Sequence, residues 1–546
     1  MAGIVVSELE YAHPGGEPLF FDVAFTVSPG ERAAIVGSNG AGKTTLLRIL
    51  AGELDADAGT FALGGRALYM PQDVGLAGAG ITVRDMLVEA ARSTLRAAGS
   101  RMLAAERAVA AGGDDGAGLA LATAIADWAD LGGYDLEQRW DAAAQRVVGA
   151  GLGEVGERPA ATLSGGERKR LVLAVLLGSD ADILLLDEPD NYLDVPARAW
   201  LERELQASRK TVLMISHDRT LLANVATRIV TLEGSAAWVH GGSYATYAEA
   251  RERRQRLLGD DLERWNDEER RLFRHMKIMK QRAALNYKNA SKANAAETRW
   301  KRFVAQGPPP PPVPPQRIKV RLAGADSARR VVRLTDLAVG GMFEPFSDDI
   351  FFGERIGLVG SNGTGKTHLL DALADPNLAH EGAVTYGPRT SVGRFTQVND
   401  RPDFRGRPLL DIVVERVGGE ERSMKALARY GLVGAARREF ESLSGGQKAR
   451  LEILCLDVEG HNVLLLDEPT DNLDVESAEA LERALDGFEG TVVAVSHDRA
   501  FLARMSRFLL IADDGAVFAL PDYDVAITAL GRPDDIYEVA LAKPLS

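Results

Sequence analysis

The chain of 546 residues contains one cysteine, Cys455. A lone thiol excludes an intramolecular disulfide, an iron–sulfur cluster and a zinc-thiolate site, and fits a reducing compartment in which the residue serves as a small buried apolar group. Long apolar runs are also missing. The longest, LVLAVLLG at 171–178, falls well short of the roughly 20 residues that cross a bilayer, and the amino-terminal MAGIVVSELEYAHPGGE has no basic flank followed by an apolar core. A cytoplasmic protein without a membrane span is therefore expected. The third shortage is positive charge. With 64 Lys+Arg against 78 Asp+Glu, a net charge of −14, the bulk surface repels nucleic acid and anionic membrane, so any polyanionic partner must be met by a local patch. The length suits two or three domains.

What the chain does have is an internal repeat. GSNGAGKT (37–44) returns as GSNGTGKT (360–367), LSGGE (163–167) as LSGGQ (443–447), LLLDEP (184–189) as LLLDEP (464–469) and SHDR (216–219) as SHDR (496–499). The last three pairs are all 280 residues apart. From Gln72 to LSGGE there are 91 positions, against 46 from Gln397 to LSGGQ. The excess in the first half falls near 92–150, where two helical stretches flank GGDDGAG, which predicts an inserted helical hairpin.

Each glycine-rich motif follows an apolar strand and opens a helix, the setting of a phosphate-binding loop. Glycines let backbone N–H groups converge on phosphate at the helix N-terminus. The loops are Gly37-Ser38-Asn39-Gly40-Ala41-Gly42-Lys43-Thr44 and Gly360-Ser361-Asn362-Gly363-Thr364-Gly365-Lys366-Thr367. Lys43 and Lys366 would reach the β- and γ-phosphates of ATP, and Thr44 and Thr367 would hold Mg²⁺. LLLDEP reads as a buried parallel strand that delivers Asp187 and Asp467 to its carboxyl end, again as Mg²⁺ partners. Glu188 and Glu468 follow as candidate catalytic bases that polarise the attacking water. His217 and His497 end the next strands, within reach of a γ-phosphate, and Gln72 and Gln397 would complete the magnesium and water shell.

These motifs, with Leu193-Asp194 and Leu473-Asp474 after the DEP turns, resemble the nucleotide-binding domains of the ABC superfamily. The resemblance implies ATP sandwiched head to tail between domains. One site would pair Gly37–Thr44 with Ser444, Gly445, Gly446 and Gln447; the other would pair Gly360–Thr367 with Ser164, Gly165, Gly166 and Glu167. It also implies an adenine-stacking aromatic, for which Tyr11 suits the first half, while Val339 aligns in the second with Phe343 nearby. Thr45 could bind the α-phosphate where the second loop has His368. Asp190 and Tyr192 stand where the family tends to have Thr and His, so unequal sites are expected.

Between the halves, Leu258, Leu262, Trp265, Leu272, Met276, Met279 and Ala283 follow a 4-3 pattern broken only at Glu269. About 40 residues predict a helix near 60 Å long. A second helix carrying Ala293, Ala296, Trp300 and Phe303 would pack back on it, ended by the proline run at 308–315. Residues 271–302 hold ten basic side chains and one acidic, a phosphate-contact surface on an acidic chain. Lys277, Lys280, Arg282, Lys288 and Lys292 are the candidate contacts, with Tyr287 placed to stack on unpaired bases.

Twin ABC domains, no membrane domain and a basic two-helix linker resemble the ABC-F family of ribosome-binding ATPases. The expected fold class is α/β: P-loop ABC domains at 1–242, with a short arm-like insertion at about 92–150, and at 331–546, joined by a basic helical-hairpin linker at 243–330. The family resemblance implies a monomeric ATPase whose ATP-closed state binds the ribosome. Its linker would lie near the P-site tRNA and the peptidyl-transferase centre, acting in translation or in resistance to ribosome-targeting antibiotics. The alternatives are the ATPase subunit of a transporter with a separate membrane partner, and a DNA- or RNA-remodelling ATPase.

Overall fold

The structure, a computed structural model, describes residues 3–16, 18–74, 80–234, 236–313, 320, 322, 327–378, 380–396, 401–471 and 473–531. Gln397 and the end of the proline run lie outside the described residues. The chain forms two compact units: a body of 1–241 with 316–546, and a unit of 242–315. Among the described residues no helix is long and apolar enough to cross a membrane.

Within the body each half carries the same pair of sheets. In the first, strands run in the order Ala67–Met70, Ile183–Asp187, Thr211–Ile215, Arg32–Val36, Arg228–Glu233 and Ala236–His240, all parallel except the last. The second repeats the order with Val392–Phe395, Val463–Asp467, Thr491–Val495, Arg355–Val359, Arg507–Ile511 and Val517–Leu520. Central strands such as ILLLD (183–187) and TVLMI (211–215) are buried at every residue, which is why their sequences are continuous apolar runs. A three-stranded antiparallel sheet completes each half: Pro18–Val27, Ile4–Ala12 and Ala58–Leu63, then Phe343–Phe351, Arg330–Val339 and Glu381–Tyr386.

The central strands Arg32–Val36 and Arg355–Val359 deliver the phosphate-loop motifs into helices Lys43–Leu50 and Lys366–Ala374. Glycine is required at both turns. Gly42 and Gly365 cap the helices at φ 92° and 91°, in the left-handed region. A Cβ on Gly37 would lie 2.4 Å from the Leu232 carbonyl oxygen, and one on Gly360 would lie 2.4 Å from that of Ile511.

The insertion in the first half is a pair of helices, Ser93–Ala110 and Asp115–Asp130, turned by Gly112-Gly113 with Asp114 capping the second. The next helix, Gly133–Val148, leads into the LSGGE loop as Glu420–Arg429 leads into LSGGQ, so it belongs to the repeated fold.

In the second unit one helix spans Tyr247–Leu285 and another Ala290–Ala305. Leu272, Met276, Ala293 and Ala296 are buried between them, Trp265 stacks on Phe303 at 5.3 Å and Phe273 tilts on Trp300 at 5.5 Å. Glu269 breaks the apolar pattern because its carboxylate accepts the Trp300 indole N–H at 2.8 Å, satisfying a donor that the seam would otherwise bury.

Gly360→Ala is expected to lower the stability of the body by about 1–3 kcal/mol, because the methyl group must push the Ile511 strand end aside. Urea unfolding measures this, and a wild-type midpoint would show that the approach is not as tight as 2.4 Å.

Candidate active site

The loop after each DEP strand is held in an unusual shape. Glu188 and Glu468 both have φ 47°, left-handed for a non-glycine residue, and each donates its N–H to the end of the adjacent strand, at Ile215 and Val495. That turn brings the two carboxylates out of the sheet and over the phosphate loops. Gln72 Nε2 donates to Glu188 Oε2 at 2.8 Å, and Asn191 Nδ2 donates to the same oxygen. Glu188 Oε1 is left facing His217, whose Nε2 lies 3.8 Å away. In the second half the His497 N–H donates to Glu468 Oε2 at 3.1 Å, with the ring Nε2 3.5 Å from Oε1.

A cavity of about 360 Å³ joins the two halves. Its walls include Asn39, Gly40, Gly42, Lys43, Thr44, Thr45, Gln72, Glu188 and His217 from the first half, and Ser444, Gly445, Gly446 and Asp471 from the second. The head-to-tail pairing that the motifs imply is therefore physical at site one. At site two, Asn362 Nδ2 donates to the Tyr192 carbonyl at 3.1 Å, and a Cβ on Gly166 would lie 3.3 Å from that amide nitrogen. The loops after the DEP strands cross reciprocally: the charge of Asp474 acts on Lys43 and that of Asp194 on Lys366.

Lys43 Nζ donates to the Gly37 and Ser38 carbonyls at 2.8 and 3.1 Å, and Lys366 Nζ to those of Gly360 and Ser361 at 2.9 and 2.7 Å. Both carboxylate oxygens of Asp187 are buried without a hydrogen-bond partner, and Thr44 is its neighbour. A buried, unpartnered carboxylate beside a hydroxyl fits a hard divalent cation such as Mg²⁺. Asp467 and Thr367 repeat the pair. Burial drives His217 down to about 3, with the Lys43 charge adding to it, and His497 is likewise held well below its ordinary value. Both imidazoles are neutral, each able to donate from one nitrogen. Burial pushes Glu188 up to about 7 and Glu468 up to about 8, with neighbouring aspartates adding to the effect.

The sites differ in detail. The serines Ser164 and Ser444 each cap the helix that follows in a reciprocal box, closed by the Glu167 carboxylate in one and the Gln447 amide in the other. An anion therefore stands at the helix N-terminus that serves site two, and a neutral amide at the one that serves site one. Thr45 lines the first cavity, whereas His368 is exposed. Tyr11 packs its ring on Phe20 at 6.2 Å and on the edge of His13 at 5.4 Å, and it is His13 that borders the cavity. Phe343 is buried against Phe346, and Val339 packs on the same core.

Several groups that complete the site had no assigned role in the sequence. Arg219 pairs with Glu482 and approaches Asp498 at 3.4 Å; Arg499 pairs with Glu202 and approaches Asp218 at 3.8 Å. The signal was present, since SHDR and LER (201–203, 481–483) both recur at the same spacing. Lys169, 1 % exposed, donates to the Gln72 and Glu188 carbonyls at 3.0 and 2.5 Å. Its counterpart is Ala449, and the second half instead buries Glu452, whose Oε2 accepts the Thr396 N–H at 3.2 Å. No repeated motif marks either residue.

Arg499→Glu places like charges together in a nearly sealed seam. A loss of about 3–5 kcal/mol is expected in urea unfolding, partly restored by adding Glu202→Arg. An unchanged midpoint for the single variant would mean that the pair carries nothing. Burial pushes the Glu452 carboxyl up to about 7, opposed by Arg401. A carboxyl raised in the folded state holds its proton more tightly there than in the unfolded chain, so its contribution is present at acid pH and lost as pH rises through about 7. The thermal midpoint of the wild type should therefore fall relative to Glu452→Gln between about pH 4.5 and about pH 7. A constant difference across that window would refute the raised value.

Comparison with known proteins agrees with this geometry. The family described as ABC transporter matches residues 20–191 and 343–471. An "Antibiotic resistance protein" of Mycobacteroides abscessus is 43% identical, over 95% of this chain and 98% of its own. Human "ATP-binding cassette sub-family F member 3" is 32% identical, over 89% of this chain and 68% of its own. Among solved structures, one titled "Model of ribosome-bound archaeal Pelota and ABCE1" shares the fold with a TM-score of 0.57 at 20% identity, covering 98% of this chain and 80% of that one. Twin phosphate loops, crossed signature helices and relatives matched over most of this chain together show that the chain is an ATPase belonging to family F of the ATP-binding cassette proteins.

Proposed function

We propose that the protein is a cytoplasmic, ribosome-directed ATPase that works as a monomer. ATP closes its two halves, and the basic helical unit then enters the ribosome near the P-site tRNA and the peptidyl-transferase centre. The outcome would be relief of stalled translation or resistance to an antibiotic of the large subunit. The observation that carries the reading is the charge of the two-helix unit. Its one acidic group between 271 and 302, Glu297, is taken up by Lys280 at 2.8 Å and Lys301 at 3.0 Å. Among the described residues, Lys277, Arg282, Lys288 and Lys292 form no salt bridge, and Leu285 and Tyr287 at the turn are 89 and 80 % exposed. Unpaired cations beside exposed apolar side chains on an acidic chain suit phosphates and unstacked bases. The Mycobacteroides abscessus relative's name supports the antibiotic branch.

In this reading the backbone N–H groups of the two phosphate loops hold the nucleotide phosphates, and Lys43 and Lys366 turn from their loop carbonyls onto the β- and γ-oxygens. His13, which borders the cavity with Tyr11 packed behind it, would stand beside the first adenine. Thr44 with Asp187 and Gln72, and Thr367 with Asp467 and Gln397, would hold Mg²⁺, which when bound neutralises charge across the β- and γ-phosphates. Glu188, fixed at Oε2 by Gln72 and Asn191, keeps Oε1 open to the attacking water and accepts its proton when ionised, and Glu468, held at Oε2 by the His497 backbone N–H, would do the same at site two. The neutral His217 and His497 donate to the γ-phosphate. Ser444 to Gly446 and Ser164 to Gly166 supply the opposite faces, so the chemistry requires closed halves.

A Glu188→Gln, Glu468→Gln variant should co-sediment with purified ribosomes in ATP but not in ADP. Changing Lys277, Lys280, Arg282, Lys288 and Lys292 to Gln should weaken that binding and flatten the log affinity against log salt slope by about 4. Protein that stays in the supernatant at low salt would sink the proposal and point to a membrane partner, and tighter binding to duplex DNA than to ribosomes would point to a remodelling ATPase.

A further inference from the structure

Most charged groups at the seam between the halves come in repeat-related pairs: Arg219 with Arg499, Glu202 with Glu482, Asp218 with Asp498. Arg198, like Lys169 beneath the first site, breaks the rule. Arg198, 6 % exposed, has Ala478 as its counterpart, and its neighbour Asp190 has Thr470. Arg198 Nε donates to the Leu193 carbonyl at 3.0 Å, in the loop after the first DEP strand. Its Nη1 donates at 3.1 Å to Asp218 Oδ2, and Asp218 caps the helix that follows His217. The charges of Asp190 from its own half and of Asp471 and Glu468 from the other act on the same guanidinium. Arg198, Asp190, Asp218 and Asp471 line the cavity that also holds Lys43, Glu188 and Ser444.

We propose that Arg198 is a positioning residue that couples the two ATP sites. One cation ties the loop after the first DEP strand to the histidine loop, and shares its charge with the matching loop of the second half. If the halves part at either site, Asp471 moves away from the guanidinium whose charge acts on both it and Asp190, leaving buried carboxylates short of a countercharge. Closure at one site is then favoured by closure at the other, which is a coupling free energy between them. The inference rests on the ATPase assignment alone and not on the ribosome.

The test uses the full-length protein and phosphate release. Asp190→Thr with Arg198→Ala rebuilds in the first half the Thr and Ala that the second half already carries, and removes one charge of each sign, so the fold has a precedent within the chain. Glu188→Gln and Glu468→Gln are then made singly in this background and in the natural one. Naturally, each should retain less than about one-fifth of two-site turnover, the lower end of measured couplings. In the Thr/Ala background the two retained fractions should sum to about one, whatever the share of each site, since uncoupled sites add. Arg198→Lys, which keeps the charge but lacks the fork, should shift the ratio the same way, and it supplies the readout if the double variant fails to fold. A purely structural role would lower stability and turnover while leaving the ratio where it was. An unchanged ratio in these variants, or sites that already add in the natural background, would overturn the proposal.

Discussion

Arg219 and Arg499 reach across the seam to Glu482 and Glu202, carboxylates that are almost sealed from water. Taking such charges out of water is costly, and only a partner at hydrogen-bond distance offsets it. Each half carries both an arginine and its acceptor, so both pairs form at once only when the halves face each other head to tail. The same facing arrangement sets Ser444 against the loop of Lys43 and brings Asn362 to Tyr192 beside Gly166. A slid or rotated arrangement would strand two buried charges and also separate each phosphate loop from its opposite helix. The crossed ion pairs therefore specify the register on which both nucleotide sites depend.

A repeated chain has still produced two unlike sites. The first supports its glutamine and DEP loops from beneath with Lys169; the second uses Glu452 at a different position of the corresponding helix. The helix N-terminus at site two carries the Glu167 carboxylate, where a nucleotide phosphate would meet like charge, while site one has the Gln447 amide. The phosphate loop of site two is also bonded across the seam through Asn362, which the His497 ring engages at 3.1 Å. These differences follow from single residues on a common frame, and each acts on electrostatics or loop support without altering the strand order.

The two-helix unit solves a separate problem. A long seam of two helices offers few layers in which to bury large rings. Placing Glu269 opposite Trp300 gives that indole N–H an acceptor at the cost of one apolar contact, whereas the Trp265 N–H is buried without a hydrogen-bond partner among the described residues. The stacked Trp265 and Phe303 then close the next layer. With its interior settled by apolar and aromatic groups, the unit can present an almost wholly basic exterior over residues 271–302 without repulsion deciding its fold, because those charges are solvated.

The fold was legible in the sequence because its signals are local and repeated. Apolar runs of strand length before glycine-rich turns, DEP after a buried strand and the 4-3 pattern of residues 258–283 each depend only on near neighbours, and duplication gave every motif a second reading. The head-to-tail pairing entered through family resemblance, and the structure gives it a physical cause in the crossed arginines. What the sequence could not supply was contact between residues far apart in the chain. Glu269 read as a break in a seam until Trp300 lay beside it. Asp190 read as a departure until it lined one cavity with Arg198, Asp218 and Asp471, and nothing in the sequence marked Lys169. Motif chemistry is set by what a residue is and by its close neighbours. The worth of a buried charge is set by its countercharge and its distance from water, which only the tertiary structure fixes.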